Sequence, residues 1–266
     1  MELLEGHCRM GGFQVVYAGA TDPGRVRRCN EDNLLIYPEA GVFAVADGLG
    51  GLDAGDVASS TALAHLRELV PTPFAGNRFF ALFNDKHPLR QLEAVVAAVN
   101  RRTYEHRMTL GKNMATTLAM VQLRGDKVVL AHVGDSRVYR WRDNALHCLT
   151  SDHSLVNELV RKGALTASQA RQSSQRHVIT RAVGAEPTVM PTLQQQPLAV
   201  GDILLLCTDG LTSMLSDRDI GQCLGNAATT IGGSVAQLIT LANQAGGHDN
   251  ITVVGVILLP IEEKSD

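Results

Sequence analysis

The sequence predicts an α+β fold in which helices pack on antiparallel sheets. Short β-rich runs come in clusters, and helical stripes come in separate long pieces, without the strict strand–helix alternation of a doubly wound fold. Two late runs, Ile203–Cys207 and Ile251–Leu259, are too uniformly apolar to have a solvated face and are expected as central strands covered on both sides.

Taken in chain order, Phe13–Tyr17, Leu34–Tyr37 and Val42–Ala46 are strands bounded by turn residues. Val57, Ala58, Ala62, Leu63, Leu66, Leu69 and Val70 then fall on one helical stripe, and Leu89, Leu92, Val95, Val96, Val99 and Thr103 on a second. Between them, residues 71–88 hold three prolines and four of the six phenylalanines, Phe74, Phe79, Phe80 and Phe83. A short helix tucking those rings onto the core is expected there. Strands Leu118–Leu123, Val128–Val133 and Val138–Trp141 follow, and Arg124-Gly125-Asp126-Lys127 is the hairpin loop between the first two. Residues 154–181 are polar and basic, with Arg161, Lys162, Arg171, Arg176 and Arg181 against Glu158 alone. A third helical stripe, Val235, Leu238, Ile239 and Ala242, precedes the final strand.

The 266 residues are 45% apolar and 19% charged, enough to bury a core. No linker divides them, so a single domain over 1–266 is expected. Lys plus Arg total 24 against 27 Asp plus Glu, a net charge of −3, which argues against a nucleic-acid partner. The five cysteines are scattered, with no C-x-x-C, as befits a reducing compartment. With neither a signal peptide nor an apolar run long enough to span a bilayer, a cytoplasmic location is expected.

The chemistry-bearing feature is where the aspartates fall. Asp47 follows Val-Phe-Ala-Val-Ala, Asp135 follows His132-Val133-Gly134, Asp209 follows Ile-Leu-Leu-Leu-Cys-Thr, and Asp249 precedes Asn250 and the last apolar run. Singly, an Asp beside a Gly after a strand is ordinary turn chemistry. Four of them at strand ends could converge on one sheet rim, and buried rim carboxylates need partners or a metal. Oxygen donors without Cys or His at metal-site spacing favour Mg²⁺ or Mn²⁺ over Zn²⁺. Competing motifs fail. Gly48-Leu49-Gly50-Gly51-Leu52-Asp53 is neither a dinucleotide fingerprint nor a phosphate loop nor a calcium loop, and there is no G-x-S-x-G. Asn250-Ile251-Thr252 matches a glycosylation sequon but runs into a central strand.

Seven segments together resemble the metal-dependent type 2C protein serine/threonine phosphatases in their compact bacterial form. They are Gly24-Arg25-Val26-Arg27-Arg28-Cys29-Asn30-Glu31-Asp32-Asn33, Ala46-Asp47-Gly48-Leu49-Gly50-Gly51, Ala115-Thr116-Thr117, His132-Val133-Gly134-Asp135-Ser136-Arg137, Thr150-Ser151-Asp152-His153-Ser154, Thr208-Asp209-Gly210-Leu211 and Asp249-Asn250-Ile251-Thr252. The resemblance runs nearly end to end. It implies a β-sandwich of two antiparallel sheets flanked by helices on both sides, with a binuclear Mn²⁺ or Mg²⁺ centre at one end. By motif match Asp47 bridges two ions and the Gly48 carbonyl binds one, while Asp209 and Asp249 hold the second. Asp135 with Asp209 holds a third, weaker ion, and Glu31 and Asp32 act through metal-bound water. Arg27 clamps the substrate phosphate. The implied reaction is hydrolysis of phosphoserine and phosphothreonine by a water activated between the ions, which needs no covalent intermediate. Phosphorylated proteins are the implied substrates, opposing a Ser/Thr kinase, with the protein acting as a monomer.

The family commonly carries a His, a candidate general acid, where this chain has Leu52 followed by Asp53. A metal-bound water, Asp53 or His248 could take that role, and His248 is the choice because it adjoins Asp249. Residues of about 150–185 correspond to the family's flap beside the site. Their cations are expected to recruit phosphoprotein. A phosphatase-like binding module that signals by contact is the alternative function.

Overall fold

The apolar strands stack as two six-stranded sheets, and the inner strands are buried on both faces. The computed structural model describes residues 2–50, 54–70, 87–226 and 229–261. Its strands are β1 (Leu3–Met10), β2 (Phe13–Asp22), β3 (Asp32–Tyr37), β4 (Val42–Leu49), β5 (Ala115–Thr116), β6 (Leu118–Arg124), β7 (Lys127–Val133), β8 (Arg137–Arg142), β9 (Ala145–Cys148), β10 (Thr192–Pro197), β11 (Ile203–Cys207) and β12 (Ile251–Pro260). One sheet has the order β1-β2-β12-β11-β8-β9; the other runs β10-β7-β6-β4-β3, with β5 paired to β4. All the pairings between these strands are antiparallel.

Alternate residues of the two sheets meet between them. Val15, Phe43, Val45, Val121, Leu130, Val138, Leu204, Leu206, Val254 and Val256 form this inner core. The opposite faces are covered by helices. Helices α1 (Gly55–Leu69) and α2 (Pro88–Leu110) lay Ala62, Leu66, Leu92, Val96 and Val99 against Val42, Ala44, Met120 and Val129 of the second sheet. Helices α6 (Asp217–Leu224) and α7 (Ile231–Gln244) cover the first sheet through Ile220, Val235, Leu238 and Ile239. The result is the expected helix–sheet–sheet–helix stack. Strands β11 and β12 lie inside their sheet and are apolar on both faces because both faces are covered.

Between β9 and β10 in the chain, α3 (Leu155–Arg161) and α4 (Ala167–Gln172) form a flap. Its ends are pinned to each other where Leu155 N–H donates to the Val178 carbonyl and Thr180 N–H to that of His153. The last named helix, α5 (Asp209–Thr212), is a single turn directly after β11. Three expectations fall on Leu52, Asp53 and residues 71–86 of the phenylalanine-rich segment, which lie outside the described residues. Among the described residues, no helix is long and apolar enough to cross a membrane.

Leu206 is fully buried between the sheets. Leu206→Ala is expected to lower the unfolding free energy by about 2–5 kcal/mol, the usual cost of a large-to-small change in a packed core. Urea denaturation of the metal-free protein measures it.

Candidate active site

The antiparallel register sets the centre of the site. Asp32 opens β3 and stands directly opposite Asp47 in β4. Such cross-strand partners have Cβ atoms only about 4.5–5.5 Å apart, and like charges there are destabilising. Strand β4 continues to Leu49, so Asp47 and Gly48 lie within the strand and not after it, as their position beyond Val42–Ala46 had suggested. The other three acids arrive from turns. Asp135 sits between β7 and β8, Asp209 opens α5, and Asp249 lies two residues before β12.

Asp47 and Asp32 are tied to the sheets through backbone and hydroxyl groups, and Asp135 through its neighbour Ser136. Thr117 N–H and Thr116 Oγ1 both donate to the Asp47 carbonyl, each at 2.8 Å, while Asp47 N–H donates to Thr117 Oγ1 at 2.9 Å. Thr117 Oγ1 also meets Ser136 Oγ at 2.7 Å, which couples β4 to the turn holding Asp135. Under Asp32, Thr208 Oγ1 donates to Oδ2 at 2.7 Å and accepts from Thr252 N–H at 3.1 Å.

Electrostatics confirm that the acids share one environment. Burial drives the Asp32 carboxyl up to about 7; the hydroxyls of Thr208 and Thr252 oppose the rise, and Asp209 and Asp249 add to it. Burial and then Asp209 push Asp135 to about 7. Asp47 rises well above the usual carboxylate range through burial and repulsion from Asp32, Asp209, Asp135 and Asp249. Asp209 is raised by burial and by Asp249. Among the described residues, the one arginine or lysine hydrogen-bonded to these acids is Arg27, whose guanidinium donates to Asp249 Oδ2 at 2.8 Å. More than half of the Arg27 side chain stays exposed, so its remaining donors are open to solvent.

Gly48 lies in a tight passage. A Cβ there would collide with the carbonyl oxygens of Gly55 and Glu31, and its own N–H donates to the Glu31 carbonyl at 3.1 Å. The Glu31 carboxylate accepts from the Gly55 amide at the start of α1, where Ala54 offers no capping side chain. Glu31 thus stands beside Gly48 and serves as a cap supplied from another element.

A cavity of about 410 Å³ opens beside Asp135 and Asp209 under the flap, with Arg137, Asp152, Arg176 and His177 on its wall. Arg137 grips Asp152 through two hydrogen bonds, of 2.9 and 2.7 Å. His177 brings its Nδ1 to 3.9 Å from Asp209 Oδ2. His248 is differently placed. Gly246 and Gly247 both take positive φ, and the turn they make folds the exposed His248 ring back over Gly246. It makes no hydrogen bond among the described residues. The structure therefore brings Arg27, Glu31, Asp32, Asp47, Gly48, Asp135, Asp209 and Asp249 to one rim, while the His248 ring lies against Gly246. The sequence reading gave no role to His177, Thr117, Thr208 or Thr252. Only the placement of the last three inside quoted motifs hinted at their service to neighbouring acids.

The donor set suits divalent cations. It consists of hard carboxylate oxygens and a crowded backbone carbonyl, and the acids repel one another where burial already disfavours their charge. Among the described residues, no three His, Cys, Asp or Glu side chains are drawn together into a finished ligand cage.

Known proteins share this arrangement of elements. Residues 25–241 match the family model for protein phosphatase 2C. The serine/threonine phosphatase stp of Listeria monocytogenes is 36% identical over 240 residues, covering 88% of this chain and 92% of the relative. The solved structure of the Mycobacterium tuberculosis serine/threonine phosphatase PstP/Ppp superposes with a TM-score of 0.81 at 36% identity, over 92% of this chain and 99% of that one. The catalytic domain of PstP in complex with two manganese ions gives 0.78 at 35% identity, over 92% and 98%. With a match across most of its length and the same two-sheet architecture, the chain belongs to the protein phosphatase 2C family.

Proposed function

We propose that the protein is a metal-dependent phosphatase that hydrolyses phosphoserine and phosphothreonine monoesters in phosphorylated proteins. The observation that carries this reading is the pooling of Asp32, Asp47, Asp135, Asp209 and Asp249 at one rim with a single exposed Arg27 hydrogen-bonded to them. In this reading Asp47, the Gly48 carbonyl, Asp209 and Asp249 would together hold two Mn²⁺ or Mg²⁺ ions. Asp135 and Asp209 would hold a third ion, and Glu31 and Asp32 would act through water. When bound, such a pair of cations supplies a water acidified toward neutral pH and offsets the charge of the phosphoryl oxygens.

The chain's own groups do the rest. Arg27 offers a planar fork matched to two phosphate oxygens, and its exposure lets it exchange Asp249 for substrate. The Thr116–Thr117 and Thr208–Thr252 hydrogen bonds keep the acids from drifting apart under their own repulsion. Exposed Arg161, Lys162 and Arg176 on the flap face approaching phosphoprotein. A Ser/Thr kinase of the same compartment supplies the substrates, and the protein works as a cytoplasmic monomer.

Three outcomes are expected. Hydrolysis of p-nitrophenyl phosphate should require added Mn²⁺ and stop with chelator, and Asp47→Ala should lower it by more than about 100-fold, beyond the usual cost of a merely supporting contact. The absence of metal-dependent turnover under any condition would leave the binding module as the function.

The second outcome concerns pH and stability. Because the folded-state pKa of Asp32 and Asp135 is raised to about 7, the folded form binds protons more tightly than the unfolded chain. In the metal-free protein this contribution favours folding below the unfolded pKa and is lost as pH rises from about 4 through 7. Asp135→Asn should flatten that decline in thermal melts.

Third, His248→Ala should leave the pH–rate profile on a phosphoserine peptide unchanged, since the ring lies over Gly246. A lost alkaline limb would restore the proton-donor role expected from its place beside Asp249.

A further inference from the structure

The segment from Pro23 to Glu31 carries Arg27, yet it has no regular secondary structure of its own. What holds it is one buried side chain. Asn250 is 6% exposed, and all three of its amide functions reach this segment. Nδ2 donates to the Pro23 carbonyl at 3.0 Å and to the Cys29 carbonyl at 2.9 Å, while Oδ1 accepts from Glu31 N–H at 2.9 Å. Both N–H bonds of the amide are thereby used, and the acceptor is engaged as well. The two ends of the segment are tied to a single point.

That point is next to the cluster. Asn250 donates its own backbone N–H to Asp249 Oδ1 at 2.9 Å, so Asp249 is gripped by Asn250 through one oxygen and by Arg27 through the other. The segment also presses closely on this strand entry. Arg25 N–H donates to the Gly247 carbonyl at 2.7 Å, and a Cβ on Gly24, whose φ is +78°, would collide with the Asp249 carbonyl. Only glycine tolerates both that contact and that φ.

We infer that Asn250 is a positioning residue for phosphate capture: it staples the two ends of the 23–31 segment to the start of β12 and thereby fixes the Arg27 guanidinium at the distance from Asp249 that the substrate phosphate requires. This rests on the reading of Arg27 as the phosphate clamp. The physical ground is that a clamp on an irregular segment loses orientation when the segment is freed, and small misplacements of a positioning group are expensive. Asn250 touches no substrate. It acts through Arg27.

The test uses the full chain with Mn²⁺, p-nitrophenyl phosphate as substrate and inorganic phosphate as inhibitor. Asn250→Ala should raise both the KM and the phosphate Ki, by about 10- to 100-fold. The same substitution in an Arg27→Ala background should change them by less than about twofold, because the group through which it acts is gone. Hydrogen exchange at residues 24–30 should quicken while β12 stays protected, and calorimetric Mn²⁺ affinity should hold. Should Asn250→Ala fail to fold, Asn250→Asp is measured instead; it keeps the acceptor for Glu31 N–H and loses the two donations. A loss that persists in full without Arg27, a loss confined to Mn²⁺ affinity, or no loss at all overturns the inference. If Arg27→Ala alone leaves KM and Ki unchanged, the clamp reading fails and takes the staple's purpose with it. Exchange at 24–30 then still reports whether the staple exists.

Discussion

Two carboxylates held directly opposite each other on adjacent antiparallel strands, Asp32 and Asp47, are the placement on which everything else at this rim depends. A cross-strand pair of like charges weakens a sheet wherever it occurs. Here the pair is joined by Asp135, Asp209 and Asp249, and all of these sit where protein atoms replace most of the water. A fold can carry such a concentration only if the strands beneath it cannot splay. The fully apolar inner core, from Val45 and Val121 to Leu206 and Val254, supplies that rigidity. The helix layers outside keep both sheets from twisting away.

Between that core and the acids lies a thin tier of hydroxyls and amides. Thr116 and Thr117 hold the backbone of Asp47, Ser136 joins Thr117 beside Asp135, and Thr208 links Asp32 to Thr252. These groups are nearly or completely buried and hydrogen-bonded, the condition under which polar side chains are tolerated inside. They convert the position of each strand into the position of a carboxylate. The same tier reaches the flap, since Gly134 N–H donates to His153 Nδ1 and His153 stacks on His132 with ring centroids 4.5 Å apart. Flap and acid turn therefore share one buried hinge.

The central strands were legible because their apolar content follows from being covered on both faces. Edge strands β1 and β10 were not, although β3, also at an edge, was. Strand β1 and the glutamine-rich β10, Thr192–Pro197, show no clear alternation, and what makes them strands is pairing with β2 and β7, which lies outside their own residues. At the site, Asp47, Asp135, Asp209 and Asp249 could be picked out singly beside apolar runs, but their convergence and the opposition of Asp32 to Asp47 depend on register. Register is a property of two strands and is invisible in either alone. His248 shows the limit of chain adjacency: a neighbour of Asp249 in sequence, it follows two glycines with positive φ and lays its ring against the first of them.

Asn250 has a consequence of another kind. Asn250-Ile251-Thr252 is a formal acceptor sequence for an N-linked sugar, yet the nitrogen that would carry the sugar spends both hydrogens on Pro23 and Cys29 inside the folded chain. A glycan there and the closed segment are mutually exclusive. Routed through a eukaryotic secretory pathway, the chain would face a race between the transferase and its own last strand, and a modified molecule could never close the segment that carries Arg27. The native fold is thus its own protection against that modification.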